Sequence, residues 1–152
     1  LGGTMLAIAV SDFRRFIVPD VLSLPAIPAG LIANAWLFAA EGEHATTILH
    51  GVVAAAAGFA SLYALRWLYA RLRQREGLGL GDVKLAAVAG SWNGLDGLGP
   101  TLLVACVLAI AFVLASQWSE GNGSKRMTAT TAIPFGTFLA PSIWIVWIAG
   151  RL

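Results

Sequence analysis

Charge is scarce in this chain. Only 12% of its 152 residues are Asp, Glu, Lys or Arg, where ordinary soluble domains carry roughly a quarter. Cysteine is scarcer still. Cys106 stands alone within an apolar run, which excludes an intrachain disulfide and a thiolate metal site; it is expected to be a small buried hydrophobe. The two histidines, His44 and His50, have no ligand cluster around them, so neither a metal nor a cofactor is expected. The net charge is only +2 and the basic residues lie beside apolar spans, so nucleic acid is not an expected partner. No Gly-Lys-Ser/Thr follows the glycine-rich stretch, which excludes a phosphate-binding loop. The stretch does not follow a strand either, as a dinucleotide fingerprint must.

What the chain has is apolar length. Hydrophobic residues make up 58% of it, and its mean hydropathy is +0.77. A soluble core of this size has no use for that excess. The composition therefore predicts an all-α membrane protein, a polytopic bundle of about six transmembrane helices forming one membrane-embedded domain over 1–152. The apolar segments run over 1–12, 21–40, 45–70, 83–99, 100–118 and 132–150. A full span needs about 20 apolar residues. The first segment is short of that, so we expect a helix trimmed at its N-terminus, the other reading being continuation through Asp12 to about Ile17. No basic n-region or separate mature domain marks a signal peptide. The fourth segment is the weakest, interrupted by Trp92-Asn93-Gly94 and Asp96-Gly97. Pro25, Pro28, Pro134 and Pro141 are expected to kink their helices, and Ala54 to Ala57 form a small-residue face suited to close packing. Trp36, Trp67, Trp92 and Trp118 are expected to be interfacial anchors.

Topology follows from the basic residues. Arg14 and Arg15 lie between segments one and two. Arg66, Arg71, Arg73, Arg75 and Lys84 surround the connection between three and four, and Lys125 and Arg126 lie between five and six. Nine of the ten basic residues therefore fall on alternating loops, Arg151 being the exception, while the opposite loops carry Glu41, Glu43 and Asp96. By the positive-inside rule the basic face is cytoplasmic. That parity puts Asp12, at the end of segment one, and Asp82, at the start of segment four, at the same depth on the same face.

Carboxylates at a membrane boundary are costly to desolvate and so are functional candidates. Two close together cannot both ionise cheaply, so one keeps a proton. The anionic partner can then draw a proton from water, while the protonated one hydrogen-bonds a scissile carbonyl and protonates the leaving nitrogen. This hydrolyses a peptide bond without metal, thiol or covalent intermediate. Gly79 and Gly81 suit such a site because they let a substrate backbone approach closely.

The segment Gly79-Leu80-Gly81-Asp82 resembles the GxGD signature of intramembrane aspartyl proteases. The longer stretch from Arg75 to Leu85, continuing to Gly90-Ser91-Trp92, resembles the type IV prepilin peptidase branch. So do Asp12 with Val18-Pro19-Asp20-Val21-Leu22-Ser23-Leu24-Pro25, and Ile133-Pro134-Phe135-Gly136-Thr137-Phe138-Leu139-Ala140. The three blocks span most of the chain. The resemblance implies a six-helix peptidase of the bacterial inner membrane, serving type IV pili. It would cut the short basic leader of a prepilin or pseudopilin on the cytoplasmic side, after Gly and before the hydrophobic helix. It implies Asp12 and Asp82 as the catalytic pair, with Gly79, Gly81, Pro134, Phe135 and Gly136 as supporting motif residues. Its partners would be that substrate and the lipid bilayer. Where the family often has Pro this chain has Thr137. Larger relatives also N-methylate the new pilin terminus through an N-terminal region that frequently carries cysteines. This chain resembles the short, peptidase-only form of Tad-type systems.

Plainer readings stand beside these. Asp82 can cap the N-terminus of its helix, and Asp12 can pair with Arg14 or Arg15. Lys84 reads as a snorkelling anchor, and Pro134-Phe135-Gly136 as a packing kink. Two rival functions are a small proton-coupled transporter using the same aspartates and a non-catalytic pilus-assembly subunit. The transporter would need inverted repeats and mid-membrane polar residues, neither of which is found.

Overall fold

The computed structural model describes residues 2–15, 20–38, 43–73, 79–119 and 135–150, and every element in them is helical. In chain order these are α1 (Gly2–Arg15), α2 (Asp20–Phe38), α3 (His44–Arg73), α4 (Leu80–Ser119) and α5 (Phe135–Ala149). Two stretches, His44–Leu72 and Leu80–Ser116, are long and apolar enough to cross a membrane; Ser23–Leu37 and Phe135–Ala149 are shorter apolar helices. α1 continues through Asp12 to Arg15, past the expected end of the first segment. Pro25 and Pro28 lie inside α2 and Pro141 inside α5, whereas Pro134 falls outside the described residues.

α4 is not one rod. Gly94 leaves helical geometry at φ 68 and ψ −174, on the positive-φ side that only glycine occupies readily. The chain folds back there. Asn93 Nδ2 donates to Thr101 Oγ1 at 2.9 Å, a contact that eight residues of straight helix would keep about 12 Å out of reach. Gly58 of α3 likewise lies against both the Ala86 backbone and the Leu98 side chain. The reversal thus falls inside the Trp92-Asn93-Gly94 interruption and not at the 99/100 division drawn from hydropathy.

The turn is held by side chains reaching carbonyls that the break releases from the helical ladder. Asn34 of α2 donates to the Ser91 and Trp92 carbonyls at 2.9 and 3.1 Å. Trp92 Nε1 donates to the Ala26 carbonyl at 2.8 Å, and the Trp92 ring packs edge-on against Trp147. Trp92 is half-buried at this turn, with its indole N–H satisfied inside the protein. Trp36 and Trp67 are exposed, as anchors require.

The first half of α4 is the central element. Residues from Val83 to Ser91 are buried except for the half-buried Lys84, so this segment is apolar on every side. α3 packs against it antiparallel through small residues: Gly58 meets the Ala86 backbone and Gly90 meets the Ala54 backbone. α5 covers another side with Leu139, Ala140 and Ile143, and α1 adds Met5 and Ile8. α1 and α5 also run antiparallel, with Gly2 against Trp144 at one end and Asp12 beside Gly136 at the other. The outer faces remain apolar: Leu103, Ile110 and Leu114 are each about 60% exposed, as suits contact with lipid and not water. Cys106 is exposed on that same helix, which corrects the expectation of a buried hydrophobe. In a membrane an apolar side chain need not be covered by protein.

Candidate active site

Three helix ends converge on one point. Asp12 lies in the last turn of α1, Asp82 in the first turn of α4, and Gly136 in the first turn of α5. Both aspartates are buried, at 5% and 8% exposure. A β-carbon built on Gly136 would stand 2.8 Å from Asp12 Oδ2 and 2.9 Å from Asp82 Oδ1. The two oxygens are therefore no farther apart than those distances laid end to end, a gap that one water molecule bridges. Residues 70 positions apart in sequence share one small volume, with the missing side chain of Gly136 leaving it open.

Each carboxylate is oriented separately. The backbone N–H groups of Gly79 and Gly136 hydrogen-bond Asp82. The bond to Gly79 runs back three residues from the first turn, as a capping-box carboxylate does. The bond from Gly136 uses one of the donors that the first turn of α5 leaves without an intrahelical acceptor. Asp82 Oδ2 faces Gly79, and Oδ1 faces Gly136 and Asp12. The capping reading of Asp82 and the dyad reading are thus compatible, one oxygen serving each. Asp12 receives a hydrogen bond from Thr137 Oγ1 to Oδ2 at 3.1 Å. The positive ends of α4 and α5 both point at the pair, an arrangement that favours negative charge there.

Asp12 is in a locally unfavourable place. A carboxylate in the last turn of a helix faces that helix's own negative end. Such a conflict between local preference and observed position is expected at functional sites.

Of the motif residues singled out from sequence, Asp12, Asp82, Gly79 and Gly136 come together here. Gly81 precedes Asp82 in α4, and Phe135 packs against the core beside Gly136. Pro134 and the side chains of Arg14, Arg15 and Asp20 lie outside the described residues, so the alternative pairing of Asp12 with an arginine has no geometry to report. Sequence reasoning missed the hydroxyl of Thr137. The signal for it was a polar residue where the resembled pattern has an imino acid. Among the described residues no group of three or more His, Cys, Asp or Glu is arranged to hold a metal. His44 Nδ1 lies 2.8 Å from the Ala35 carbonyl.

Residues 1–114 match the profile of the type IV leader peptidase family. A prepilin leader peptidase/N-methyltransferase of Xanthomonas campestris is 34% identical over 147 residues, covering 97% of this chain and 47% of its own. Proteins of the same name from Burkholderia pseudomallei and Escherichia coli are 36% and 37% identical, covering 92% and 90% of this chain and 42% and 55% of theirs. The chain thus spans about half the length of these curated relatives. No solved structure matches it significantly. With three-quarters of its length inside one family profile, this chain belongs to the type IV leader peptidase family.

Proposed function

We propose that this chain is an aspartyl endopeptidase that removes the short basic leader of prepilin-like substrates, with Asp12 and Asp82 as the hydrolytic pair. One observation supports this above the rest: both carboxylates lie against the open position of Gly136. Water held between them loses a proton to the anionic carboxylate as its oxygen bonds to the scissile carbonyl carbon. The protonated carboxyl hydrogen-bonds the carbonyl oxygen, and the pair then delivers a proton to the leaving nitrogen as the C–N bond breaks. The dyad returns to its starting proton count, so no cofactor is consumed.

The rest of the reading concerns placement. The chain would lie in the bacterial inner membrane as six spans, the fold-back at Gly94 dividing α4 into the fourth and fifth. The basic loops would be cytoplasmic, which puts the aspartates at the inner rim where a leader emerges from a membrane-inserted pilin helix. Cleavage would fall after Gly, a residue able to bring its backbone close to the pair. The proposal covers leader removal and does not extend to the methyl transfer in the relatives' name. A transporter is less well served, because the carboxylates sit at helix ends and not at mid-span.

The test is to incubate the purified chain in detergent with a synthetic leader joined to a pilin-like apolar helix, and to map the products by mass spectrometry. A single cut between Gly and the first apolar residue is expected. An intact substrate, or cuts scattered elsewhere, would overturn the proposal.

A further inference from the structure

We infer that Thr137 is a positioning residue for Asp12, its hydroxyl fixing the carboxylate oxygen that faces Asp82. This rests on the reading of Asp12 and Asp82 as the hydrolytic pair, and adds a third group through which the pair is set.

Most serine hydroxyls in this protein bond locally. Ser61, Ser91, Ser116 and Ser142 each donate to a carbonyl three or four residues back in their own helix, a local bond without reach. Thr137 behaves differently. It lies in the first turn of α5, and its hydroxyl crosses to a residue 125 positions away. The acceptor is Asp12 Oδ2, the same oxygen that stands 2.8 Å from the Gly136 β-position.

The two aspartates differ in how they are held. Asp82 is fixed by two main-chain donors, Gly79 and Gly136, which no substitution of a side chain removes. Asp12, at the negative end of α1, takes a side-chain donor from α5. Rotation of the Asp12 carboxylate about its last bond is broad unless a partner restrains it. The Thr137 bond holds Oδ2 at the Gly136 β-position, which Asp82 Oδ1 also lies against, and it ties the end of α1 to the start of α5. A proline at this position, as in the resembled pattern, has no hydroxyl to give.

Thr137→Val keeps shape and branching while removing the donor; Thr137→Ser keeps the donor. The assay is cleavage of the synthetic leader–helix substrate by the full chain in detergent, with kcat and KM measured separately. The valine variant is expected to lose about ten- to a hundredfold in kcat with KM changed less than about twofold, from loss of one hydrogen bond to a charged group. The serine variant is expected to stay within about threefold of the parent. Parent-like kcat in Thr137→Val overturns the inference. So does an equal loss in Thr137→Ser, or a rise in KM at constant kcat. If the valine variant does not fold, Thr137→Ala against Thr137→Ser makes the same comparison. Asp12→Asn and Asp82→Asn run alongside. If they retain cleavage, the pair itself is wrong and the inference falls with it; if they are inactive and Thr137→Val matches the parent, the role of Thr137 alone is wrong.

Discussion

Gly136→Ala is the substitution that this geometry makes most informative. The new methyl carbon would lie 2.8 Å from Asp12 Oδ2, 2.9 Å from Asp82 Oδ1 and 3.2 Å from Asp12 Cγ, where ordinary contact begins at 3.4 Å. Each carboxylate would have to withdraw by roughly half an ångström to restore ordinary contact. Neither can move freely: Asp82 is held by the Gly79 and Gly136 N–H groups and Asp12 by Thr137. The methyl also occupies the space a hydrolytic water needs. Misplacement by about 1 Å costs on the order of a hundredfold in rate, so two displaced groups should cost at least about that much. Overpacking of this kind destabilises by about 1–3 kcal/mol, which leaves a folded protein to assay. Cleavage of a leader–helix substrate and thermal unfolding in detergent would be measured on the same preparation. Gly3→Ala is the control, because nothing lies within 4 Å of its β-position. A Gly136→Ala variant that cleaves within about threefold of the parent would refute the reasoning, for it would mean that the carboxylates do not act from where they stand.

Four further outcomes follow from the same contacts. Gly90→Val places side-chain atoms on the Ala54 backbone, which cannot yield as a side chain would. Thermal unfolding in detergent should fall by the equivalent of about 3 kcal/mol or more, with α3 and α4 separating. Asn34→Leu strips the donor from the Ser91 and Trp92 carbonyls at the fold-back, and should cost about 1–3 kcal/mol in the same assay. The pH–rate profile of cleavage should be bell-shaped, because neither the doubly protonated nor the doubly ionised pair can act as acid and base together; a rate that climbs steadily with pH would argue for a single base. Cleavage should persist in excess EDTA, since aspartate chemistry needs no Lewis acid, and loss restored by a divalent ion would contradict the mechanism.

Much of this arrangement was legible in the chain. The apolar runs located the helices, because a lipid-facing helix must be apolar over its length to hide its backbone. The small residues at Ala54 and Ala55 marked a close helix contact, and the structure places Gly90 on that face. Asp12 and Asp82 stood out as carboxylates beside apolar helices, and the charge pattern alone put them on one face. What escaped was whatever depended on neighbours distant in sequence. The bond from Trp92 to the Ala26 carbonyl and its contact with Trp147 join residues far apart in the chain. Cys106 looked buried because a soluble-protein habit was applied to a lipid-facing position. The fold-back was misplaced by a few residues because hydropathy does not register a positive φ; Gly94 could be told from Gly97 or Gly99 only in three dimensions. Thr137 stood out only as a departure from the resembled pattern, and its hydrogen bond escaped because its partner is 125 positions away.

The most direct test of the account is single-turnover cleavage by Asp12→Asn and by Asp82→Asn, each checked for a parent-like unfolding temperature. Amide replaces carboxylate at nearly the same volume, so each variant should keep its fold and lose at least about a thousandfold in cleavage rate. A folded variant of either kind that still releases the leader at an appreciable fraction of the parent rate would contradict the claim that these two residues hydrolyse the bond.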